Sequence, residues 1–481
     1  ITGRNDWSSS LVYSYGRGNF SYFYPSVSGS WIITESFKDK LPKWISFAKV
    51  RGSWAQVGND TSPYYINSGY EIATYQRGDK KVYGMKIPDN MKSTDLKPER
   101  KNAWEVGLDW RFLDSRIGLD FTYYKENTRD QIMTIDVPRP SGVRQKLINA
   151  GNIQNSGIEI ALNTTPYKRG DWQWDLNLTY TRNRNKIVEL SPDVASYINL
   201  DGAATYGNYR IASVAKVGSD YGMLMSDSWI KTDEKTGKPI IGYSNNYRTV
   251  YYKRGGTVKE VGSMLPDFLG TVNTTLRWKD LSLYVLFDAR FGGYVASYNS
   301  RYSTAYGFSG ASENYRKGMT WTSRYDNAKD KTFTDGFIPD AIFDKGTVVT
   351  APDGTQHDVS GMTYQQAYEK GYVEPAHMQS HGYFKNSWGQ GVINDDWFKK
   401  LNYIALREVT LSYNVPRRLC GYIGAKSLAL SLTGRNIAYL LNTAPNHENP
   451  ESVRGTGAAQ FRMRSFMPYT ASYLFTLNAT F

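Results

Sequence analysis

Between Trp172 and Thr181, apolar and polar residues alternate without a break. Trp172, Trp174, Leu176, Leu178 and Tyr180 fall on one face, and Gln173, Asp175, Asn177, Thr179 and Thr181 on the other. The pattern recurs in Trp104, Val106, Leu108, Trp110 and Phe112, in Ile117, Leu119, Phe121 and Tyr123, and in Tyr473, Phe475, Leu477, Ala479 and Phe481. Period-two patterning specifies β-strands with two chemically opposite faces. A soluble sandwich alternates as well, but its strands are usually about 5–6 residues long. Runs of ten or more match a tilted strand that crosses the hydrocarbon layer, and Trp, Tyr and Phe near their ends match aromatic girdles. The pattern predicts an all-β fold, a transmembrane antiparallel β-barrel.

Composition agrees. The mean hydropathy is −0.54, and no stretch approaches the ~18 consecutive apolar residues of a membrane helix. Half of a barrel strand faces a wet lumen, so a polar average is natural. Tyr (38) and Trp (13) together outnumber Phe (19), which suits surfaces apolar at one end and wet at the other. The single cysteine, Cys420, excludes a disulfide framework. The chain opens at Ile1 without Met or a signal segment, as though inside a strand, so it reads as a fragment or a processed chain.

Working back from Phe481, the pattern places fourteen strands, near 468–481, 426–437, 401–414, 281–291, 266–278, 221–231, 205–216, 172–186, 153–166, 115–126, 101–113, 45–57, 20–35 and 1–15. Their connections alternate. Short ones fall at 113–116, 167–171 and 278–280, with medium ones at 36–44, 217–220 and 415–425. Long ones fall at 58–100, 127–152, 187–204, 232–265, 292–400 and 438–467, and a tight one at 16–19 breaks the trend. Alternating long outer loops and short periplasmic turns are the habit of outer-membrane barrels. All of 1–481 then belongs to one barrel, with 292–400 as a long extracellular loop. A plugged barrel of about 22 strands would leave some eight strands and the plug outside this chain.

The residues resemble the C-terminal barrel portion of the SusC/RagA family of TonB-dependent outer-membrane transporters. The resemblance runs through Tyr24-Pro-Ser-Val-Ser-Gly-Ser-Trp31 and Lys49-Val-Arg-Gly-Ser-Trp54. It continues in Leu96-Lys-Pro-Glu99 followed by Trp104-Glu-Val-Gly-Leu-Asp109, and in Asn149-Ala-Gly-Asn-Ile-Gln-Asn-Ser-Gly157. It closes with Leu406-Arg-Glu-Val-Thr-Leu-Ser-Tyr-Asn-Val-Pro416, Gly434-Arg-Asn436 and the terminal Phe481. It implies import of oligosaccharides or oligopeptides, powered through the TonB complex and assisted by a SusD-like surface lipoprotein lid. It also implies that Phe481 is the insertion signal read by the barrel-assembly machinery. The TonB box and the plug have no counterpart in this sequence, and the resemblance assigns them to another segment. A different class, a scaffold barrel that transports nothing, fits the same strands.

The remaining motifs support no enzyme. No G-x-x-x-x-G-K-[ST] or G-x-S-x-G occurs. His377 and His381 are spaced i, i+4 but lack the Glu of H-E-x-x-H, and Asp326, Asp330 and Asp335 fail the calcium-loop spacing. No metal or other cofactor is expected. The formal charge of +13 comes from Lys and Arg scattered through turns and loops, with no basic stripe, so nucleic acid is not an expected partner and outer-membrane lipid is. Glu105, Asp109, Arg111, Arg116 and Asp120 are the expected lumen lining, with the two arginines meeting the three acids. In the 292–400 loop, Trp321, Tyr325, Tyr383, Trp388 and Trp397 are candidates for gripping substrate, or for packing the loop.

Overall fold

The computed structural model of the chain describes all residues except 14, 15, 17, 19, 39, 68, 94, 95, 138, 193, 195, 202–204, 207, 208, 387–392, 396, 455, 456, 458–460 and 464–467. Its backbone is a single antiparallel wall with loops gathered at one end. The wall strands are β1 (Thr2–Trp7), β2 (Ser21–Ile32), β3 (Ile45–Asn59), β4 (Glu99–Phe112), β5 (Ile117–Arg129) and β6 (Gly151–Arg169). They continue as β7 (Trp172–Leu190), β8 (Phe268–Trp278), β9 (Leu281–Ser297), β10 (Phe398–Val415), β11 (Ser427–Asn442) and β12 (Ser472–Thr480). Each pairs with its neighbours in chain order, β1 to β12, and the sheet is open between β1 and β12 among the described residues.

Two predicted wall strands are not in the wall. Tyr209–Lys216 and Met223–Ser226 pair with each other in a small sheet inside the β7–β8 connection. The reason is burial. Ile211, Val214, Ala215 and Leu224 are enclosed, and Ile211 and Leu224 pack into a core with Trp397, Phe398 and Phe461. A membrane strand would instead present every second side chain to lipid. Removing both strands leaves the alternation of connections intact and strict. Turns at 33–44, 113–116, 170–171, 279–280 and 416–426 share one end. Connections at 8–20, 60–98, 130–150, 191–267, 298–397 and 443–471 share the other. The predicted tight turn at 16–19 lies within the first of these.

The tight turns explain the register. Gly170 and Lys279 sit at φ +58° and +52° in their two-residue connections, a left-handed conformation that suits the twist of hairpins. Pairing then runs unbroken from Trp172↔Trp278 to Thr181↔Leu269. A one-residue slip would turn every apolar side chain into the lumen.

The apolar face is banded by rings at both margins. Near the short turns, Trp44 stacks on Phe112 at 5.6 Å and Trp172 on Trp278 at 5.7 Å. Towards the long loops, Trp104 meets Tyr123 at 5.3 Å, Tyr180 meets Phe268 at 5.4 Å, and Phe268 meets Phe291 at 4.9 Å. Trp172 and Tyr180 are eight residues apart, about 26 Å along a strand, which after tilting approaches the ~25 Å apolar band of outer-membrane barrels. This face therefore meets lipid, and the opposite face is the lumen side.

Candidate functional site

The lumen face is a hydrogen-bonded polar ladder. Thr179 and Thr271 hydroxyls lie 2.6 Å apart, Asn177 donates to Asn273 at 2.7 Å, and Ser412 and Ser431 meet at 2.8 Å. Cross-strand polar pairs of this kind keep a wetted strand face ordered without an apolar core.

Two charged clusters stand out. In the first, the Arg51 guanidinium on β3 donates to both carboxylate oxygens of Asp120 on β5, at 3.0 and 2.9 Å, and to Thr122 Oγ1 at 2.5 Å. Glu105 Oε1 lies 3.7 Å from Arg51 Nε. The partner of Glu105 and Asp120 here is Arg51, which the sequence did not single out, and not the expected Arg111 or Arg116. The expected meeting of Arg111 with acids is found with Asp109, at 3.5 Å. Arg116 goes elsewhere. Its guanidinium donates to the backbone carbonyls of Thr165 and Pro166, so it staples the 113–116 turn to the end of β6.

The second cluster joins two stretches quoted above. A register shift between Leu406 and Glu408 frees Arg407 from the β10–β11 ladder. Arg407 donates to Asp288 on β9 at 2.7 and 3.1 Å. It also grips Glu451, in the 443–471 connection, at 2.7 Å through two nitrogens. Arg435 pairs with Glu408 at 3.0 Å. The Leu406-Arg-Glu and Gly434-Arg-Asn runs thus form one device that ties a long connection to the wall.

Leu96-Lys-Pro-Glu99 has a similar local cause. Asn149 Oδ1 accepts from the Lys97 amide at 2.9 Å, and its Nδ2 donates to the Lys97 and Asp130 carbonyls. Glu99 accepts from the Ile132 amide at 2.9 Å and from Asn59 Nδ2 at 3.0 Å. These residues lock two connections, 60–98 and 130–150, to each other and to the ends of β3 and β4.

Above the wall, the 191–267 and 298–397 connections fold on each other. Ile240–Ser244 pairs with Thr249–Tyr252 and with Ile342–Phe343. Ile241, Val250, Phe343, Val359, Tyr364 and Val373 form a dry core beneath them. A helix at Tyr364–Glu369 is started by a Thr363/Gln366 capping box.

The loop aromatics sit at different depths. Trp397 is fully enclosed, with Tyr298 edge-on at 5.8 Å, and Tyr325 is 8% exposed beneath Arg248 at 4.6 Å. Trp321 stacks on Phe333 at 5.0 Å and donates to the buried Glu374 at 3.3 Å. Trp388 and the Tyr383 side chain lie outside the described residues. The exposed rings were not singled out from sequence. Tyr302 and Tyr306 stack at 6.4 Å, next to the open Phe308. A hairpin of Glu71–Arg77 and Lys80–Lys86 presents Ile72, Tyr83 and Met85, each more than 70% exposed. No periodicity separates such rings from buried ones, because exposure depends on what the loops fold against.

His377 Nδ1 lies 3.1 Å from Asp335, and the His381 ring packs against Tyr252 and Phe337. Burial pushes the Asp335 carboxyl up, but the His377 hydrogen bond and charge, with the Gln379 amide, outweigh it and hold it below its ordinary value of 3.8. Among the described residues no three His, Cys, Asp or Glu gather as a metal site would require.

An antiparallel wall with a ring-banded apolar face, a polar face and all its long connections at one end defines an outer-membrane β-barrel. The family model "TonB dependent receptor-like, beta-barrel" matches residues 1–234. TonB-dependent receptor P3 of Formosa agariphila is 27% identical over 311 residues, which are 62% of this chain and 30% of the relative. TonB-dependent receptor SusC of Bacteroides thetaiotaomicron is 28% identical over 244 residues, 49% of this chain and 24% of the relative. The RagAB peptide importer in its closed-closed state matches in fold, with a TM-score of 0.65 at 17% identity, over 100% of this chain and 45% of that one. The matched stretches span less than half of each of these proteins. By these likenesses the chain is a SusC/RagA-like TonB-dependent transporter barrel region, and the proteins it is similar to are outer-membrane receptors.

Proposed function

We propose that this chain is the wall and outer mouth of a transporter that imports oligosaccharides or oligopeptides across the outer membrane. The observation that carries the proposal is the asymmetry of the wall. All long connections lie at one end, two of them share a core, and they stand over a continuous polar face. That end faces outward, and the short turns face the periplasm. Energy arrives through TonB acting on a plug, and further strands close the barrel. The exposed Tyr302, Tyr306 and Phe308 contact substrate, while Trp321, Tyr325 and Trp397 hold the loops in shape. The apolar hairpin at 71–86 is a docking surface for a SusD-like lipoprotein, since exposed apolar clusters commonly mark protein interfaces. Phe481, whose carbonyl accepts from Lys426 at 2.8 Å, serves insertion by the barrel-assembly machinery.

The test is purification of the tagged full-length protein from native membranes, with the mass of every co-purifying chain, alongside growth of a deletion strain on peptide or polysaccharide as sole nutrient. A co-purifying surface lipoprotein and loss of growth on one nutrient class are expected. A barrel that purifies alone from a strain with unchanged growth on both overturns the proposal.

A further inference from the structure

Sequence alone shows no basic stripe, but the strand register builds one. Arg100, Lys125, Arg129, Arg182, Arg184 and Lys186 share the lipid-facing parity of β4, β5 and β7. They lie at or just beyond the upper row of rings: Lys125 is directly opposite Trp104, Arg182 is level with Tyr123 across β6, and Arg100, Arg129, Arg184 and Lys186 continue toward the long connections. Ser156 on β6 stands between Lys125 and Arg184, one strand to each side. Strands ~4.8 Å apart put those two cations on backbones about 10 Å from each other, within joint reach of one anion. Arg100 lies directly opposite Arg129, a like-charge pairing that is unfavourable unless an anion sits across it. None of the six forms an ion pair among the described residues.

The same place is also a cleft. β7 and β8 pair only as far as Thr181↔Leu269 and then part. The gap, of about 450 Å³, is lined by Arg182, Arg184 and Lys186 on one side and by Ser263, Pro266 and Asp267 on the other. Of its two acids, Asp267 is paired with Lys400 at 2.7 Å, which leaves Asp220 against three cations.

We infer that this ledge binds the phosphate groups of a multiply phosphorylated lipid in the outer leaflet. The inference rests on the proposed orientation, with the long connections outward. Position selects the occupant. Side chains at or just beyond an aromatic belt, on the lipid side, stand at headgroup level. Arginine forks suit phosphate oxygens. Two separated cation groups, Arg100/Arg129 and Lys125/Arg184 with the cleft, favour a lipid carrying more than one phosphate.

The test uses the full-length transporter in mild detergent and native mass spectrometry with diphosphoryl lipid A, monophosphoryl lipid A and inorganic phosphate. The diphosphoryl lipid is expected to bind at least tenfold more tightly than the monophosphoryl lipid. R182Q/R184Q/K186Q is expected to lose at least tenfold of that affinity and Arg184→Gln a smaller part, with both variants keeping the heat-modifiable gel mobility of a folded barrel. Equal binding by the folded triple variant, or no preference for the second phosphate, overturns the inference. Inorganic phosphate bound as tightly as lipid overturns it too, in favour of a free-anion site. Orientation is read separately, by labelling Lys345→Cys in intact cells with an impermeant maleimide; the native Cys420 is buried. Labelling without lipid binding sinks the lipid site alone. Failure to label sinks the orientation, and the lipid site with it.

Discussion

Arg51 reaches Asp120 only because Gly107 stands between them without a side chain. Arg51 on β3 lies opposite Gly107 on β4, which lies opposite Thr122 on β5. A Cβ on Gly107 would come within 2.5 Å of Arg51 Nε and 2.6 Å of its Cζ. The guanidinium therefore crosses a whole strand and ties β3 to β5. Gly107→Leu is expected to push it off Asp120. The pair is partly exposed, so the loss is about 1 kcal/mol, read as a fall of a few degrees in the temperature at which the barrel loses its folded gel mobility. Arg51→Leu should cost a similar amount, and combining it with Gly107→Leu should add little. Fully additive losses would show that Gly107 acts through something other than Arg51.

The wall was legible because period two is written residue by residue, and lipid enforces it. The turns at 113–116, 170–171 and 279–280 lie where the pattern put them. The errors came where lipid no longer imposes the pattern. Ile211, Val214 and Leu224 looked like membrane strands because a strand buried on both faces is also rich in apolar residues. Parity puts the acids Glu105, Asp109 and Asp120 on the face opposite the ring-banded one. Arg51 was missed because its partner is two strands away, a relation that depends on register and on one glycine. The basic ledge was invisible for the same reason. Its six members are spread over 87 positions of sequence, from Arg100 to Lys186, and only pairing assembles them.

Glu374 is the carboxylate on which the folded loops depend. It is 6% exposed and accepts from Ser323 Oγ at 2.8 Å, the Arg324 amide at 2.5 Å and Trp321 Nε1 at 3.3 Å. Its own carbonyl accepts from the buried Tyr364 hydroxyl at 2.8 Å. Glu374→Ala leaves several donors without an acceptor, at about 1–3 kcal/mol for each buried one. Amide exchange across 319–337 is expected to speed up on the order of 100-fold, while that of β7 to β10 stays unchanged. Unaltered exchange in 319–337 would mean that water replaces the carboxylate freely.

The Asp335–His377 contact gives the loops a pH dependence of definite sign. Burial raises the Asp335 carboxyl, and the stronger pull of His377 leaves it below 3.8. A depressed carboxylate contributes stability that is complete above its unfolded value and is lost as pH falls through the folded one. Its share is therefore constant from pH 7 down to about 4 and disappears below that. Exchange protection of Thr332–Phe337 should fall in this acid range, and Asp335→Asn should flatten the fall. A loss centred near pH 6 would assign the effect to histidine titration instead.

Arg407 makes the last case, because it joins wall to loop. Its side chain is 17% exposed and is held by Asp288 and Glu451, each through two hydrogen bonds. Tyr439 adds a hydroxyl donated to Glu451 at 2.9 Å. A planar fork can satisfy two carboxylates at once, and a point-like ammonium cannot. Arg407→Lys should therefore keep the Asp288 contact and release Glu451, so that amide exchange rises in 445–453 while β9 and β10 keep their protection. Arg407→Ala also strands Asp288 beside Glu451 with no cation between them, and should cost the wall about 3 kcal/mol. Glu451→Gln separates the two effects, since it frees the loop and leaves Arg407 on Asp288. If the lysine variant holds 445–453 as firmly as arginine does, the tether lies in the Tyr439 hydroxyl and not in the guanidinium.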